Sequence, residues 1–125
     1  GQLFISIFLG VGVTLASGGG SWSTISDRDA KNDLREVDGE ALLGALARVP
    51  IATWSYKAQD PSIRHIGPMA QDFHAAFGVG EDERRIATVD ADGVALAAIQ
   101  ALKRDNDRLR ARVEALERRA PAAAR

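Results

Sequence analysis

The amino-acid sequence predicts an α+β fold, in which a small mixed domain of short strands and helices is followed by a long C-terminal helix of the coiled-coil type. Two patterns carry this prediction. The segment Ile51–Tyr56 (I-A-T-W-S-Y) alternates and contains two aromatic residues, which is typical of a strand. Ala95–Leu116 instead repeats its apolar residues at alternating spacings of four and three, which is the heptad pattern of a coiled coil.

Composition limits the functions that the chain can have. Its 125 residues allow one small domain with a modest core, and 16 Lys and Arg balance 17 Asp and Glu. This balance gives no net field that would favour nucleic acid. The chain contains no cysteine, and its two histidines, His65 and His74, lack a clear carboxylate constellation. We therefore expect no metal and no cofactor.

Residues 1–25 are predicted to be an upstream segment made of a strand-like stretch and a loop. Leu3–Leu15 is apolar but too short to cross a bilayer, which takes about 20 apolar residues. Its β-branched content favours an extended segment that pairs with neighbouring chain, and a targeting segment is the alternative. Residues 18–24 are rich in Gly and Ser and predict a loop.

The predicted mixed domain spans residues 26–94 and begins with a helix and a strand. Asp38 is a suitable N-cap for a helix from Gly39 to about Arg48, and Pro50 stops that helix. The strand Ile51–Tyr56 follows.

A second helix and a second strand complete this domain. Gly67-Pro68 is expected to open the helix and Gly78 to end it. The residues expected on its buried stripe are Met69, Phe73 and Phe77. Ile86–Val89 predicts another short strand, and Asp92-Gly93 predicts the N-cap and turn before the last helix.

Residues 95–119 are predicted to be a coiled-coil helix, with a disordered tail at 120–125. The heptad seam consists of Ala95, Ile99, Leu102, Asn106, Leu109, Val113 and Leu116. A helix with this apolar stripe needs partners, and the alternative is a single helix folded back on its own domain. Asn106 at an a position favours parallel alignment and by itself leans toward a dimer.

The stretch Ser26–Lys31 (S-D-R-D-A-K) carries the chemistry. A serine becomes a nucleophile when a base removes its proton, and a lysine with a lowered pKa can be that base. The same residues also suit a helix N-cap and an exposed surface, so the spacing alone leaves both interpretations open.

Four motifs in this order resemble a known family. They are S-D-R-D-A-K at Ser26–Lys31, W-S-Y at Trp54–Tyr56, H-I-G-P-M-A-Q-D-F at His65–Phe73 and V-D-A-D-G-V at Val89–Val94. Followed directly by a heptad helix, they look like the C-terminal intramolecular chaperone and auto-processing domain of endosialidase-type phage tail spikes and tail fibres. The resemblance covers about residues 11–119.

The resemblance implies a homotrimer that assists folding of the upstream part of the same polypeptide and then cuts itself off between Ile25 and Ser26. Ser26 would be the nucleophile and Lys31 the base of a Ser–Lys dyad in a single-turnover reaction. The supporting residues would be Asp27, His65 and Gln71. For each of these three, an ordinary structural role, such as a cap, a core hydrogen bond or a helix-surface contact, is the alternative. Trp54 and Tyr56 are expected in the core.

The partners implied are two further copies of the chain and the upstream fibre or adhesin region, with no nucleic acid and no small-molecule substrate. The expected location is a virion tail fibre, or a bacterial cell surface or prophage product folded in the bacterial cytoplasm, and a membrane segment is not expected. The alternative function is a structural trimerisation module that does not cut, and a membrane-anchored signalling coiled coil is a further, weaker one.

Overall fold

The computed structural model describes residues 3–6 and 11–120, and the predicted tail therefore lies mostly outside the described residues. The chain divides into two compact units, Gly1–Glu36 and Val37–Arg125. The fold is of the α+β class, with short strands, two short helices and a long C-terminal helix, Thr88–Arg119.

The first unit is built on an antiparallel sheet. Strand β1 (Leu3–Ser6) pairs with β2 (Gly12–Leu15), and β2 pairs with β3 (Ser23–Thr24). The extended prediction for Leu3–Leu15 agrees with β1 and β2, while residues 7–10 lie outside the described part. The predicted loop at 18–24 is too long by two residues, because Ser23 and Thr24 pair with Thr14 and Val13.

The second unit begins with helix α1 (Gly39–Arg48), as predicted. The Asp38 carboxylate accepts a hydrogen bond from the Ala41 backbone N–H at 3.1 Å, which satisfies one of the free donors of the first turn. The helix ends at Arg48, two residues before Pro50, which lacks the backbone N–H that a continuing helix needs.

A two-stranded antiparallel hairpin follows α1. Strand β4 (Ala52–Trp54) pairs with β5 (His65–Gly67), with Trp54 opposite His65. The strand predicted from I-A-T-W-S-Y is therefore present, although shorter than the pattern.

Helix α2 (Ala70–Phe77) starts later than predicted. Gly67 belongs to β5, where its carbonyl oxygen accepts a hydrogen bond from Trp54 Nε1 at 3.3 Å, so the helix begins only after Met69. Gly78 ends it in the left-handed conformation (φ 62°), as expected. Phe73 is buried and its ring lies 4.9 Å from that of Phe77, but Met69 is 42% exposed and is not part of the buried stripe.

Helix α3 (Thr88–Arg119) begins seven residues before Ala95, and the strand predicted at Ile86–Val89 is wrong. The backbone N–H groups of Asp90 and Ala91 both donate to the Ala87 carbonyl, which starts the helix there. Asp92-Gly93 is consequently inside the helix rather than at its cap. Acidic residues in the first turn favour a helix start because they interact with the positive end of the helix dipole.

The core of this unit lies between α1 and α3. Ala101 is fully buried against Gly39, and Val94 and Ala98 lie on the same buried stripe of α3. Beyond this stripe, Arg108 pairs with Glu40 of α1 at 3.3 Å and with Asp105 one turn earlier. A hydrogen bond between the carboxyl groups of Glu40 and Asp105 raises the pKa of Glu40 and lowers the pKa of Asp105.

Candidate active site

The Ser26 and Lys31 side chains meet in the first unit. Lys31 Nζ lies 2.5 Å from Ser26 Oγ and donates a hydrogen bond to it. Both residues are exposed. Five positions separate them in the sequence, so the chain between them has to fold back on itself.

A tight turn brings them together. Arg28–Ala30 forms one turn of 3₁₀ helix, in which the Ala30 N–H donates to the Asp27 carbonyl at 3.1 Å and the Lys31 N–H donates to the Arg28 carbonyl at 3.2 Å. Such i to i+3 bonds make a tighter turn than an α-helix, and they return Lys31 to the side of Ser26.

Asp27 caps this turn. Its Oδ1 accepts a hydrogen bond from the Asp29 N–H at 2.9 Å, and its backbone is extended, as at an N-cap. The contact places Asp27 in a structural role, because it supports the turn that carries Lys31.

The Ile25–Ser26 bond follows directly after strand β3. The Ile25 N–H donates to the Gly12 carbonyl at 2.9 Å, and the Ile25 side chain is half-buried. The chain is thus held to the sheet up to Ile25 and enters the turn after Ser26. This arrangement fixes the peptide bond on one side while the serine hydroxyl stays accessible.

His65 and Gln71 belong to the second unit, and within it they have different neighbours. The His65 ring is half-buried between Trp54 and Tyr56, with ring centroids 5.1 and 4.9 Å away. Its Nε2 lies 2.9 Å from Gln59 Oε1. Trp54 is half-buried, whereas Tyr56 is 53% exposed, so the expectation of a core position fits Trp54 and is wrong for Tyr56.

Gln71 is exposed in the first turn of α2. It lines a groove of about 820 Å³ whose wall also includes Tyr56, Ile66 and Arg85. A polar side chain at the edge of such a groove can hydrogen-bond to an extended peptide, and no described contact assigns it a narrower role.

Sequence reasoning missed Gln59. It lies in the connection between β4 and β5, four residues before Ile63, and no motif includes it. The pairing of β4 with β5 brings it beside His65, and the sequence analysis predicted only the first of these two strands.

Two further properties concern the described part of the chain alone. Within residues 3–6 and 11–120, no three His, Asp or Glu side chains gather as metal ligands would. None of the described helices is both long and apolar enough to span a bilayer.

Comparison with known proteins gives one family match. Residues 26–79 match a peptidase family described as "Chaperone of endosialidase". No curated protein matches the chain. The matched range starts at Ser26, includes Lys31, Trp54 and His65, and ends just after α2. It supports an intramolecular chaperone role and a link to serine peptidase chemistry. The resemblance is therefore confirmed for residues 26–79, which contain three of the four motifs and are similar to the chaperone-of-endosialidase family.

Proposed function

We propose that this chain is a C-terminal intramolecular chaperone that trimerises, assists folding of an upstream tail-fibre or adhesin region and releases itself by cutting between Ile25 and Ser26. The observation that carries the proposal is the 2.5 Å contact between Lys31 Nζ and Ser26 Oγ. The family match across both residues supports the same assignment.

In the proposed reaction the nucleophile attacks the peptide bond that precedes it. Ser26 Oγ adds to the carbonyl carbon of Ile25 while Lys31 takes the hydroxyl proton. The C–N bond then breaks, the proton passes to the Ser26 amine, and an ester joins Ile25 to Ser26 Oγ. Water hydrolyses this ester and releases an Ile25 carboxylate and a fragment with a free Ser26 amine and hydroxyl. Because nucleophile and target are adjacent, proximity supplies much of the rate.

Lys31 can act as the base only when its amine is neutral. In the single chain its Nζ donates to Ser26 Oγ, and proton transfer requires the opposite direction. A lysine in water titrates near pH 10.4, so desolvation or a neighbouring positive charge has to favour the neutral amine. Packing against other copies of the chain would supply desolvation, and Arg28 in the turn is the nearby source of charge.

The heptad seam supports the proposed parallel homotrimer. Five of its apolar residues are more than half exposed in the single chain, namely Ile99, Leu102, Leu109, Val113 and Leu116. They form a continuous stripe beside the one that packs on α1. The exposed stripe would be covered by the same stripe of neighbouring copies, with Asn106 fixing the register.

The test uses the protein with its upstream fibre attached. We expect a released fragment that begins at Ser26, and we expect Ser26→Ala, Lys31→Ala and Lys31→Arg each to block its release almost completely. The arginine variant keeps the charge, but guanidinium does not give up its proton in this pH range. Lys103→Arg is the matched control, since Lys103 pairs with Asp107 on α3, and it should cleave normally.

N-terminal sequencing and a gel of the four variants decide the result. A fragment that starts elsewhere, or brisk cleavage by Lys31→Arg, would contradict the dyad. An intact trimer that never cleaves would favour the alternative function, a structural trimerisation module of a fibre or surface protein.

A further inference from the structure

The C-terminal end of α3 extends beyond the helix that packs on it. The pair of Arg108 with Glu40, at 3.3 Å, lies beside the first turn of α1. From Leu109 to Arg119 every residue except Ala115 is exposed. A helical stretch of this length is marginal in water, because an isolated helix needs about 12–15 residues or more to be stable. This end of α3 therefore needs a partner helix.

The residues on either side of the heptad seam form two flanks. With Ile99, Asn106 and Val113 at the a positions, the g flank consists of the residues just before each a position. The e flank consists of the residues just after each d position. The g flank contains Ala91, Ala98, Asp105 and Arg112, and the e flank contains Leu96, Lys103, Arg110 and Glu117. In a parallel coiled coil, a g residue lies beside the e residue five positions further along the neighbouring helix.

In a parallel arrangement in register, the two flanks carry opposite charges wherever both residues are charged. Asp105 lies beside Arg110 of the neighbouring copy, and Arg112 lies beside Glu117 of the neighbouring copy. Both contacts join an acid to an arginine, which is the charge complementarity that sets partner orientation in coiled coils.

The same register also accounts for Leu96, an apolar residue outside the heptad seam. Leu96 is 64% exposed in the single chain. In the parallel arrangement it lies beside Ala91 of the neighbouring copy, so the apolar part of one flank is opposite the apolar part of the other.

Other arrangements bring like charges together. A shift of one heptad between parallel helices places Asp105 beside Glu117, or Arg112 beside Arg110. In an antiparallel pair, g residues face g residues and e residues face e residues. The antiparallel alignment that pairs Asp105 with Arg112 also sets Lys103 beside Arg110, and such like-charge contacts disfavour an arrangement.

The arginines of the two flanks are accessible in the single chain. Arg110 and Arg112 are exposed, and neither forms an ion pair with another residue in the described range 11–120. The Asp105 side chain is 30% exposed and already binds Arg108 of its own chain. A carboxylate has further acceptor sites for a second arginine, but this shared role makes Arg112 with Glu117 the cleaner pair to test.

We propose that α3 binds α3 of a second copy in parallel and in register, and that charge pairs of Asp105 with Arg110 and of Arg112 with Glu117 between copies select this arrangement. The inference rests on the proposed function, because assembly through the heptad seam belongs to it. It goes beyond that function in naming the residues beside the seam that reject the shifted and antiparallel alternatives. Exposed ion pairs add little stability, so their main effect is on which arrangement forms.

Charge reversal tests the pair of Arg112 with Glu117 in the whole chain. Arg112→Glu or Glu117→Arg alone places like charges together at every contact between copies, and we expect either change to weaken assembly by about tenfold or more. The double variant restores opposite charges and should assemble like the unchanged chain. In the antiparallel alignment described above Arg112 faces Asp105, so there Glu117→Arg could not rescue Arg112→Glu.

Sedimentation equilibrium over a range of protein concentrations measures the strength of assembly. The matched controls are Arg118→Glu and Glu114→Arg, which make the same charge changes at exposed positions outside the seam and both flanks, and they should assemble normally. In about 1 M salt the loss in the single variants should shrink, because the Debye length falls to about 3 Å.

The outcomes separate this inference from the proposed function. If the double variant assembles no better than the single ones, or if the single variants match their controls, the charge pairs are overturned while assembly through the seam stands. An unchanged chain that remains monomeric overturns the proposed assembly itself, and the charge pairs fall with it.

Discussion

The contact between Ser26 and Lys31 depends on very little of the chain. One 3₁₀ turn and the Asp27 cap are enough to bring Nζ to Oγ. Every interaction that makes this contact is local, so the spacing could suggest the pairing, although by itself it left an N-cap and an exposed surface as the alternative interpretation. The protonation state of the lysine is different, since it depends on what covers the exposed pair.

Asp60 offers a test of a local hydrogen-bond arrangement in the connection between β4 and β5. Hydrogen bonds from the Ser62 side chain and backbone lower the pKa of Asp60 below its ordinary value near 3.8. A carboxyl group whose pKa is lowered in the folded state stabilises the fold at pH values above its unfolded-state pKa. This stability is lost as the pH falls through the lower pKa of the folded state.

We expect Ser62→Ala to raise the pKa of Asp60, because the first of the two hydrogen bonds is removed. On acidification, the contribution of Asp60 to the stability of the fold should then be lost at a higher pH than in the unchanged protein. The measurement is the pH titration of the Asp60 carboxyl carbon by NMR. Asp82, whose pKa is lowered by hydrogen bonding to the Arg84 backbone, is the internal control and should not change. An unchanged Asp60 titration would contradict the role of Ser62.

At the scale of elements, α1 and α3 pack closely because small residues face each other. A methyl group built on Gly39 would lie 2.9 Å from the Ala101 methyl, which is closer than such atoms approach. Gly44, in the same helix, has open space, and a methyl group there would meet only the end of the Arg48 side chain at 3.6 Å. Close packing against α3 therefore accounts for the glycine at position 39 but not for the one at position 44.

Alanine substitution separates the two cases. Gly44→Ala should stabilise the fold by about 0.5–1 kcal/mol, because alanine loses less backbone entropy in a helix. In Gly39→Ala, at the first residue of α1, the overpacking against Ala101 costs about 1–3 kcal/mol, so we expect net destabilisation. Chemical denaturation of the two variants and the unchanged protein provides the comparison. Equal stabilisation by both variants would mean that α1 and α3 do not pack at Gly39.

The sequence predicted elements well where local signals define both ends. Asp38 and Pro50 delimit α1, and its observed bounds match the prediction. The start of α3 was missed because the β-branched pattern of Ile86–Val89 resembles a strand, while the tertiary contact of Val94 and Ala98 with the rest of the unit rewards a longer helix. Gln59 could not be found because its partner is brought to it only by strand pairing.

α3 has two neighbouring stripes, and heptad spacing revealed only one of them. Val94, Ala98 and Ala101 are buried in the unit, so the alternative of a helix folded on its own domain describes this stripe. The heptad seam lies beside it and is exposed. Two of the three residues in the buried stripe are alanines, whose hydropathy is too weak to reveal the stripe in the sequence.

Few apolar side chains are buried in the part of the molecule whose burial the structure describes, residues 11–120. The buried apolar residues there are Val49, Phe73, Val94, Ala98 and Ala101, and one of these five is aromatic. Exposed apolar residues that share one helix face usually mark an interaction site. For the second unit, the proposed assembly through α3 would add the burial that the single chain lacks.

We predict that Leu109→Asp dissociates the assembly. Leu109 is 63% exposed in the single chain and lies in the middle of the heptad seam, so each copy would bury an unpaired carboxylate in the interface. Ala111→Asp is the matched control, since it adds the same charge about 200° around the helix from Leu109. Sedimentation equilibrium should give a trimer for the unchanged chain and for Ala111→Asp, and a monomer for Leu109→Asp. A monomer for the unchanged chain at micromolar concentration would refute the trimer, and a dimer would mean that Asn106 sets the oligomeric state.

The last prediction connects the Ser26–Lys31 contact with the assembly of the whole molecule, because we expect cleavage to depend on assembly. Ser26 and Lys31 are exposed in the single chain. Hydration favours the charged form of an exposed lysine, and that hydration is lost only when something covers the side chain. With the upstream fibre attached, Leu109→Asp should therefore cleave much more slowly than Ala111→Asp, although its Ser26–Lys31 turn is unchanged. Gel analysis of both variants at neutral pH measures this directly. Equal cleavage by the dissociated and the assembled protein at neutral pH would show that the turn alone is sufficient, and the coupling between assembly and release would have to be abandoned.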